Sequence, residues 1–329
     1  MIRVLVLPEG GDPKSSEGLE AANAAVERWR SGGDRVWLDV EAPGDPELEL
    51  LRDRLAFDAL SIDDATLPEH PPKVEEVGVL GDRAAYLLVI ARAPLPKETT
   101  NFESVALFVR SRMLVTVHVV ASPAVEGARA RVVRDPARTM GRGIEFAAHA
   151  VLDELVAGYD PLLDDVDKQV DALEEQIVGD GKGDGFERIL ALRRRVAAAA
   201  RESRPMRDVA LSLAREGHPL VKPAARIVFR DLYDCLLRAH DMLESHADTI
   251  ASIRDAYLAI ANNKMNEVMK VLTVVAVISG TLSVVTGLFG MNVGGVPGEK
   301  SPAAFWISLA GMLVLSLVMV ALFRWKRWV

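Results

Sequence analysis

A single cysteine, Cys235, stands in 329 residues. That count excludes a disulfide framework and any CxxC metal cassette, and it suits a reducing compartment. The charged part of the chain is therefore expected in the cytoplasm. A GxxxxGK[ST] phosphate loop, an HExxH helix and a nucleophile elbow are all missing, so enzyme activity has no motif to rest on. Proline is absent from Ala224 to Val296 and glycine from Ala224 to Ser279. With neither breaker present, one helix of some 65 residues, roughly 100 Å at 1.5 Å per residue, is expected there. His, Cys, Asp and Glu are also absent from Val271 to Met291. A bare zinc ion prefers those ligands, so any ion crossing that stretch is expected to keep much of its water.

What is present is unevenly spread. The formal net charge is −8; after Lys270 the chain carries Lys300, Arg324, Lys326 and Arg327 against Glu299, which leaves −11 on residues 1–270. An acidic body repels nucleic-acid phosphates and concentrates cations, so nucleic acid is not an expected partner and divalent cations are.

Met1 to Gly10 lacks the long apolar run of a signal peptide, and Arg3 to Leu7 reads as a strand. Ser15 to Trp29 reads as a helix closed by Gly32 and Gly33, Val36 to Val40 as a strand, and Pro46 to Phe57 as helical. Lys73 to Leu80, Ala84 to Ala91, Ser104 to Val109 and Met113 to Val119 read as four more strands. Residues 1–140 thus form an expected α/β domain with a largely antiparallel sheet. Residues 141–222 follow as a helical hairpin, turning at Gly179 to Gly185. Asp180 and Asp184 there resemble a calcium loop in part, but the twelfth-position glutamate is missing and a turn fits better.

Val271 to Phe289 and Ala303 to Phe323 are uncharged runs of 19 and 21 residues, each long enough to cross a bilayer. The basic, tryptophan-bearing tail 324–329 places the carboxyl end, and with it the amino end, on the cytoplasmic side. Residues 290–302 form the connecting external loop, and 223–289 form a stalk helix continuing into the first span. Along that helix Asn266, Met269, Thr273, Ala276, Gly280, Ser283 and Gly287 recur at steps of three and four. Such a stripe serves either close helix packing or a wetted surface. Two helices cannot enclose water, so a pore requires several copies about an axis. Met269 and Leu272 are candidates for an apolar constriction, with ordinary packing as the alternative.

Gly287-Leu288-Phe289-Gly290-Met291-Asn292 at the end of the first span, with Asn266-Glu267-Val268-Met269-Lys270-Val271-Leu272-Thr273 upstream, resembles the CorA superfamily of divalent cation transporters. Leu60-Ser61-Ile62-Asp63-Asp64, Pro72-Lys73-Val74-Glu75, Leu114 to His118 and Phe229 to Asp234 extend the likeness into the amino-terminal part. The resemblance implies an α+β cytoplasmic domain with long stalk helices and two C-terminal transmembrane helices, assembled as a funnel-shaped homopentamer in the inner membrane, with no covalent cofactor. It implies a selectivity collar at Gly290, Met291 and Asn292, where Asn292 otherwise reads as a helix cap. It also implies regulatory magnesium between subunits at Asp63, Asp64, Asp231 and Asp234. The loop Val293-Gly294-Gly295-Val296-Pro297-Gly298 and Thr281 are similar to the ZntB zinc-transporting branch, so zinc is the expected cargo and magnesium, cobalt or nickel the alternative. A membrane-tethered metal sensor is a further alternative. Cys235 reads as a small core residue, and the scattered histidines show no ligand spacing.

Overall fold

A computed structural model of the chain describes residues 1–78, 85–95, 102–178, 185–215, 217–291, 302–326 and 328. Met1–Ser252 pack as one unit and Ile253–Val329 as another.

The first unit is built on a seven-stranded sheet: β1 Ile2–Leu7, β2 Lys14–Glu17, β3 Arg35–Glu41, β4 Lys73–Val77, β5 Tyr86–Pro94, β6 Phe102–Arg110 and β7 Met113–His118. Their order is β2-β1-β3-β7-β6-β5-β4. β3 and β7 pair in parallel and the other neighbours antiparallel. β7 is buried at every position, because helices cover both faces. Such strands read as continuous apolar runs rather than as alternation.

On one face, α1 (Leu19–Ser31), α2 (Asp45–Glu49) with its π-helical continuation Leu50–Arg54, and α3 (Ala59–Thr66) bring Val26, Leu51, Leu55 and Ile62 onto Val4, Leu38, Phe108 and Val115. On the other lie α4 (Pro123–Arg134), α5 (Ile144–Ala157) and the amino-terminal part of α8 (Pro223–Phe289), where Leu152 and Phe229 meet Val89 and Leu107. α6 (Tyr159–Val178) and α7 (Gly185–Ala214) complete this unit. Asp165 pairs with Arg195, and Gln176 accepts from Arg188, so α6 and α7 run antiparallel, while α5, within the stretch 141–222 read as one hairpin, is a separate helix on the sheet. The turn itself, 179–184, lies outside the described residues.

Three local expectations need correction. Ser15 to Glu17 is not helix but part of β2, because Gly18, at φ +95°, breaks the chain between an edge strand and α1. The helix expected at Pro46 to Phe57 loses its α register at Leu50, where Leu55 N–H reaches back five residues to the Leu50 carbonyl at 2.9 Å. α3 and α4 were not anticipated; Asp58 and Ser122 cap them through Leu60 N–H and Val125 N–H.

The sheet also buries charge. Asp39 Oδ1 accepts from Thr116 Oγ1 at 2.7 Å and from His118 Nε2 at 3.0 Å, and Oδ2 accepts from Arg3 Nε at 3.1 Å. Trp37 Nε1 donates to Thr116 Oγ1 at 3.0 Å. His118 Nδ1 faces the Val120 carbonyl at 2.7 Å, so both ring nitrogens meet acceptors and the ring is satisfied only as an imidazolium. Burial works against that charge, but the Asp39 hydrogen bond and charge outweigh it and raise the His118 pKa. Burial likewise opposes ionisation of Asp39; the His118, Thr116 and Arg3 contacts overcome it and hold its carboxyl below the usual range.

These shifts fix the pH dependence of stability. The raised His118 contributes fully below its ordinary 6.5 and is lost as pH rises through its folded value. The depressed Asp39 contributes above its ordinary 3.8 and is lost as pH falls through its folded value. Asp39→Asn is expected to cost on the order of 3 kcal/mol between those limits, because it strands the buried His118 imidazolium, whereas Arg3 keeps Glu41 and Glu126. Thermal melts of the full chain should show the penalty shrinking as pH rises past the His118 transition; a pH-independent penalty would contradict the pairing.

Candidate ion path and cation sites

The second unit holds the carboxyl-terminal part of α8 and α9 (Pro302–Trp325), both long and apolar enough to cross a membrane. Unlike the core helices, their apolar stretches lie almost wholly open in the single chain.

At 3.6 residues per turn, Asn266, Met269, Thr273, Ala276, Gly280, Ser283 and Gly287 fall on one face of α8. All but the half-buried Thr273 are exposed. A Cβ added at Gly280 or Gly287 would meet nothing within 4 Å, so among the described residues no neighbour fills the face there. Met269 and Leu272 are 55% and 60% exposed. Leu272 borders an apolar recess with Val268, Val271 and Val275, on the side adjoining the stripe.

The hydroxyls follow a rule. Thr273 Oγ1 donates to the Met269 carbonyl at 2.7 Å, Thr281 Oγ1 to Val277 at 2.8 Å and Thr286 Oγ1 to Ser283 at 3.0 Å. Each hydroxyl spends its proton on its own helix and keeps lone pairs to accept with; of the three, Thr273 belongs to the stripe. Waters around a cation point their hydrogens away from it, so an acceptor surface is what a hydrated cation requires. In α9 Ser308 and Ser316 likewise bond back to the Ala304 and Met312 carbonyls, at 2.8 and 2.9 Å, but Phe305, Ile307, Leu313 and Leu317 stand exposed along it.

Gly290 N–H bonds the Thr286 carbonyl at 2.9 Å just past α8, and Met291 is exposed. Asn292 and the loop 293–301 lie outside the described residues.

The four acids expected to hold regulatory magnesium are placed on two elements. Asp63 and Asp64 sit on α3, Asp231 and Asp234 on α8. Asp63, Asp231 and Asp234 are exposed. Asp64 is already engaged, by Lys73 Nζ at 2.7 Å and His70 Nε2 at 3.4 Å. Lys73 bonds Glu75 as well, at 2.6 Å. Burial disfavours the ammonium, but Asp64 and Glu75 outweigh it and raise its pKa. Among the described residues no three His, Cys, Asp or Glu side chains gather closely enough to hold a metal. Cys235 Sγ takes a hydrogen bond from Arg238 at 3.1 Å, and His240 is buried between Ser203 at 2.8 Å and Glu244 at 3.3 Å.

A family model described as a CorA-like Mg2+ transporter protein matches residues 32–327. The chain belongs to this family. It is similar to the cobalt/magnesium transport protein CorA of Methanocaldococcus jannaschii, with 28% identity over 295 residues, 89% of this chain and 91% of the relative. The complete structure of the M. jannaschii CorA magnesium transporter superposes with a TM-score of 0.83 at 24% identity, covering 99% of this chain and 98% of that one. The cytoplasmic domain of ZntB from Vibrio parahaemolyticus superposes with a TM-score of 0.58 at 14% identity, over 70% and 88% of the two chains. As a CorA-family member the protein is a divalent cation transporter and not an enzyme, and α9 with the apolar end of α8 are its membrane spans.

Sequence reasoning passed over the buried charges of β1, β3 and β7. The signal was there: Asp39 is a lone acid inside the apolar run Val36 to Val40. Since Lys73 holds Asp64 in a partly exposed pair, Asp64→Asn is expected to lower magnesium-free stability by at most about 1 kcal/mol. A melting-temperature loss corresponding to several times that amount would contradict a screened surface pair.

Proposed function

We propose that five copies of the chain surround a central path and admit a hydrated divalent cation, with the α8 stripe as its wall and an Asn292 collar at the outer mouth. The observation that carries this reading is the uncharged face from Asn266 to Gly287, left largely open within the chain and carrying the Thr273 hydroxyl, whose proton is spent on the Met269 carbonyl. Neutral oxygens touch an ion's water shell without demanding its removal, and they release it again. Met269 and Leu272 supply the apolar constriction. Both termini face the cytoplasm, so the acidic first unit collects incoming cations.

Uptake needs no chemical fuel. A divalent cation moving inward through 100 mV gains roughly twice 2.3 kcal/mol. No acid lies between Val271 and Met291 to relay protons, which favours a channel over proton coupling. The absence of His and Cys there favours a cargo that keeps its water, such as magnesium or cobalt, in keeping with the M. jannaschii relative's name. Zinc is the second reading, supported by the glycine-rich sequence Val293 to Gly298. Regulatory magnesium at Asp63, Asp64, Asp231 and Asp234 would have to be assembled between copies and would compete with Lys73 for Asp64.

Purified protein in proteoliposomes tests the proposal. Mg²⁺ influx independent of external pH is expected, and Asn292→Ala should abolish it while the pentamer persists on size-exclusion light scattering. Undiminished influx in that variant would remove the collar from the mechanism. Zinc flux rising with acidity, with little magnesium flux, would select the second reading.

A further inference from the structure

A cavity of about 720 Å³ opens at one end of the sheet, lined by the end of α1, the π-helical turn after α2, the β6–β7 turn and the ends of β4 and β5. Arg30, Arg54, Arg110 and Arg112 line it with Glu76, which His218 engages at 2.7 Å; Arg110 is buried and donates to the Leu55 carbonyl at 2.6 Å, and one further carboxylate, Glu27, stands behind Arg30 and Arg54. That cationic concentration stands within a region, residues 1–270, whose net charge is −11. Arg30 and Arg54 are held side by side through Glu27 Oε1, at 3.2 and 2.8 Å. Arg112 makes no side-chain hydrogen bond or ion pair among the described residues, and its guanidinium lies against Gly32.

The backbone carries a second sign. Ala56 at φ +52° and Arg112 at φ +63° are left-handed without being glycine, and both line the cavity. Arg110 and Met113 pair across a two-residue turn, so Arg112 occupies a position that glycine or asparagine fills at less steric cost. Its side chain is kept there against local preference, as happens at binding sites. Trp29, half-buried, lines the same wall and donates from Nε1 to the Ser111 carbonyl at 2.8 Å, which fixes the indole beside the turn. The cavity lies within the range of small-molecule sites, about 300–1,000 Å³, and is far larger than a bare phosphate needs.

We propose that this cavity binds a nucleoside monophosphate, its phosphate gripped by Arg112 with Arg30 and Arg54 and its base against Trp29. Arginine's planar fork matches phosphate oxygens, and indole offers a flat apolar partner for a base. Binding is all that is proposed, since the chain lacks the phosphate loop of nucleotide hydrolysis. No residue of the ion path takes part, so failure of this binding leaves the transport assignment untouched.

Equilibrium dialysis of the full-length protein in detergent with EDTA, using AMP, adenosine and inorganic phosphate as probes, tests it. Saturable AMP binding is expected, with adenosine and phosphate each at least about tenfold weaker, as loss of one charged hydrogen-bonded contact implies. Arg112→Gly relieves the left-handed strain, so its melting temperature should hold or rise while AMP affinity falls about tenfold or more. Trp29→Leu should weaken AMP without changing phosphate. The proposal is overturned by no saturable AMP binding up to about 1 mM, by unchanged AMP affinity in Arg112→Gly, or by phosphate binding as tightly as AMP.

Discussion

A divalent cation holds its water too firmly to enter hydrocarbon bare, and two helices cannot wrap a hydrated ion. Most features of the carboxyl-terminal unit follow from that pair of constraints. Charges are missing from both spans, small residues recur on one face of α8, and the threonine hydroxyls turn their protons inward to backbone carbonyls. α9, with its exposed Phe, Ile and Leu side chains, suits lipid instead.

The sheet-bearing unit obeys the same rule by other means. Buried polarity is costly unless it is paired, and β3 pairs its one buried acid with three donors from β1 and β7. Because β3 and β7 form the parallel step of an otherwise antiparallel sheet, the Asp39 cluster ties together the strands on either side of that step. Charge is tolerated in this layer only because the imidazolium and guanidinium meet the carboxylate at hydrogen-bond distance. On the opposite sheet face the buried Arg110 donates to the Leu55 carbonyl at 2.6 Å and lies 4.4 Å from the Phe57 ring and 5.2 Å from Tyr86.

Much of this was legible in the residues. Uninterrupted apolar strands, the breaker-free stretch from Ala224 and the two uncharged runs each announced their element, because one local property dominates there. Legibility failed where a single residue overrides its neighbours' propensity. Gly18 cuts Ser15 to Glu17 off from the alanine-rich helix and leaves them to an edge strand, and at Leu50 a helix passes into π register. α3 is short, and its cap, Asp58, resembles an ordinary loop acid. Long-range groupings were least visible: Arg3, Asp39 and His118 are far apart in sequence, as are the arginines at positions 30, 54 and 112. The stripe on α8 was legible as a pattern, because helical periodicity is local, whereas Asp64's engagement with Lys73 depends on where β4 lies.

The most direct test of the account is thiol accessibility along the first span. In a Cys235→Ser background, which has no other thiol, single cysteines placed from position 266 to 287 are exposed to a membrane-impermeant, water-soluble maleimide in the bilayer. The account predicts labelling at 273, 276, 280, 283 and 287, slowed by divalent cation, with protected positions between them. Labelling without that periodicity, or confined to the opposite face, would contradict a hydrated path along this helix.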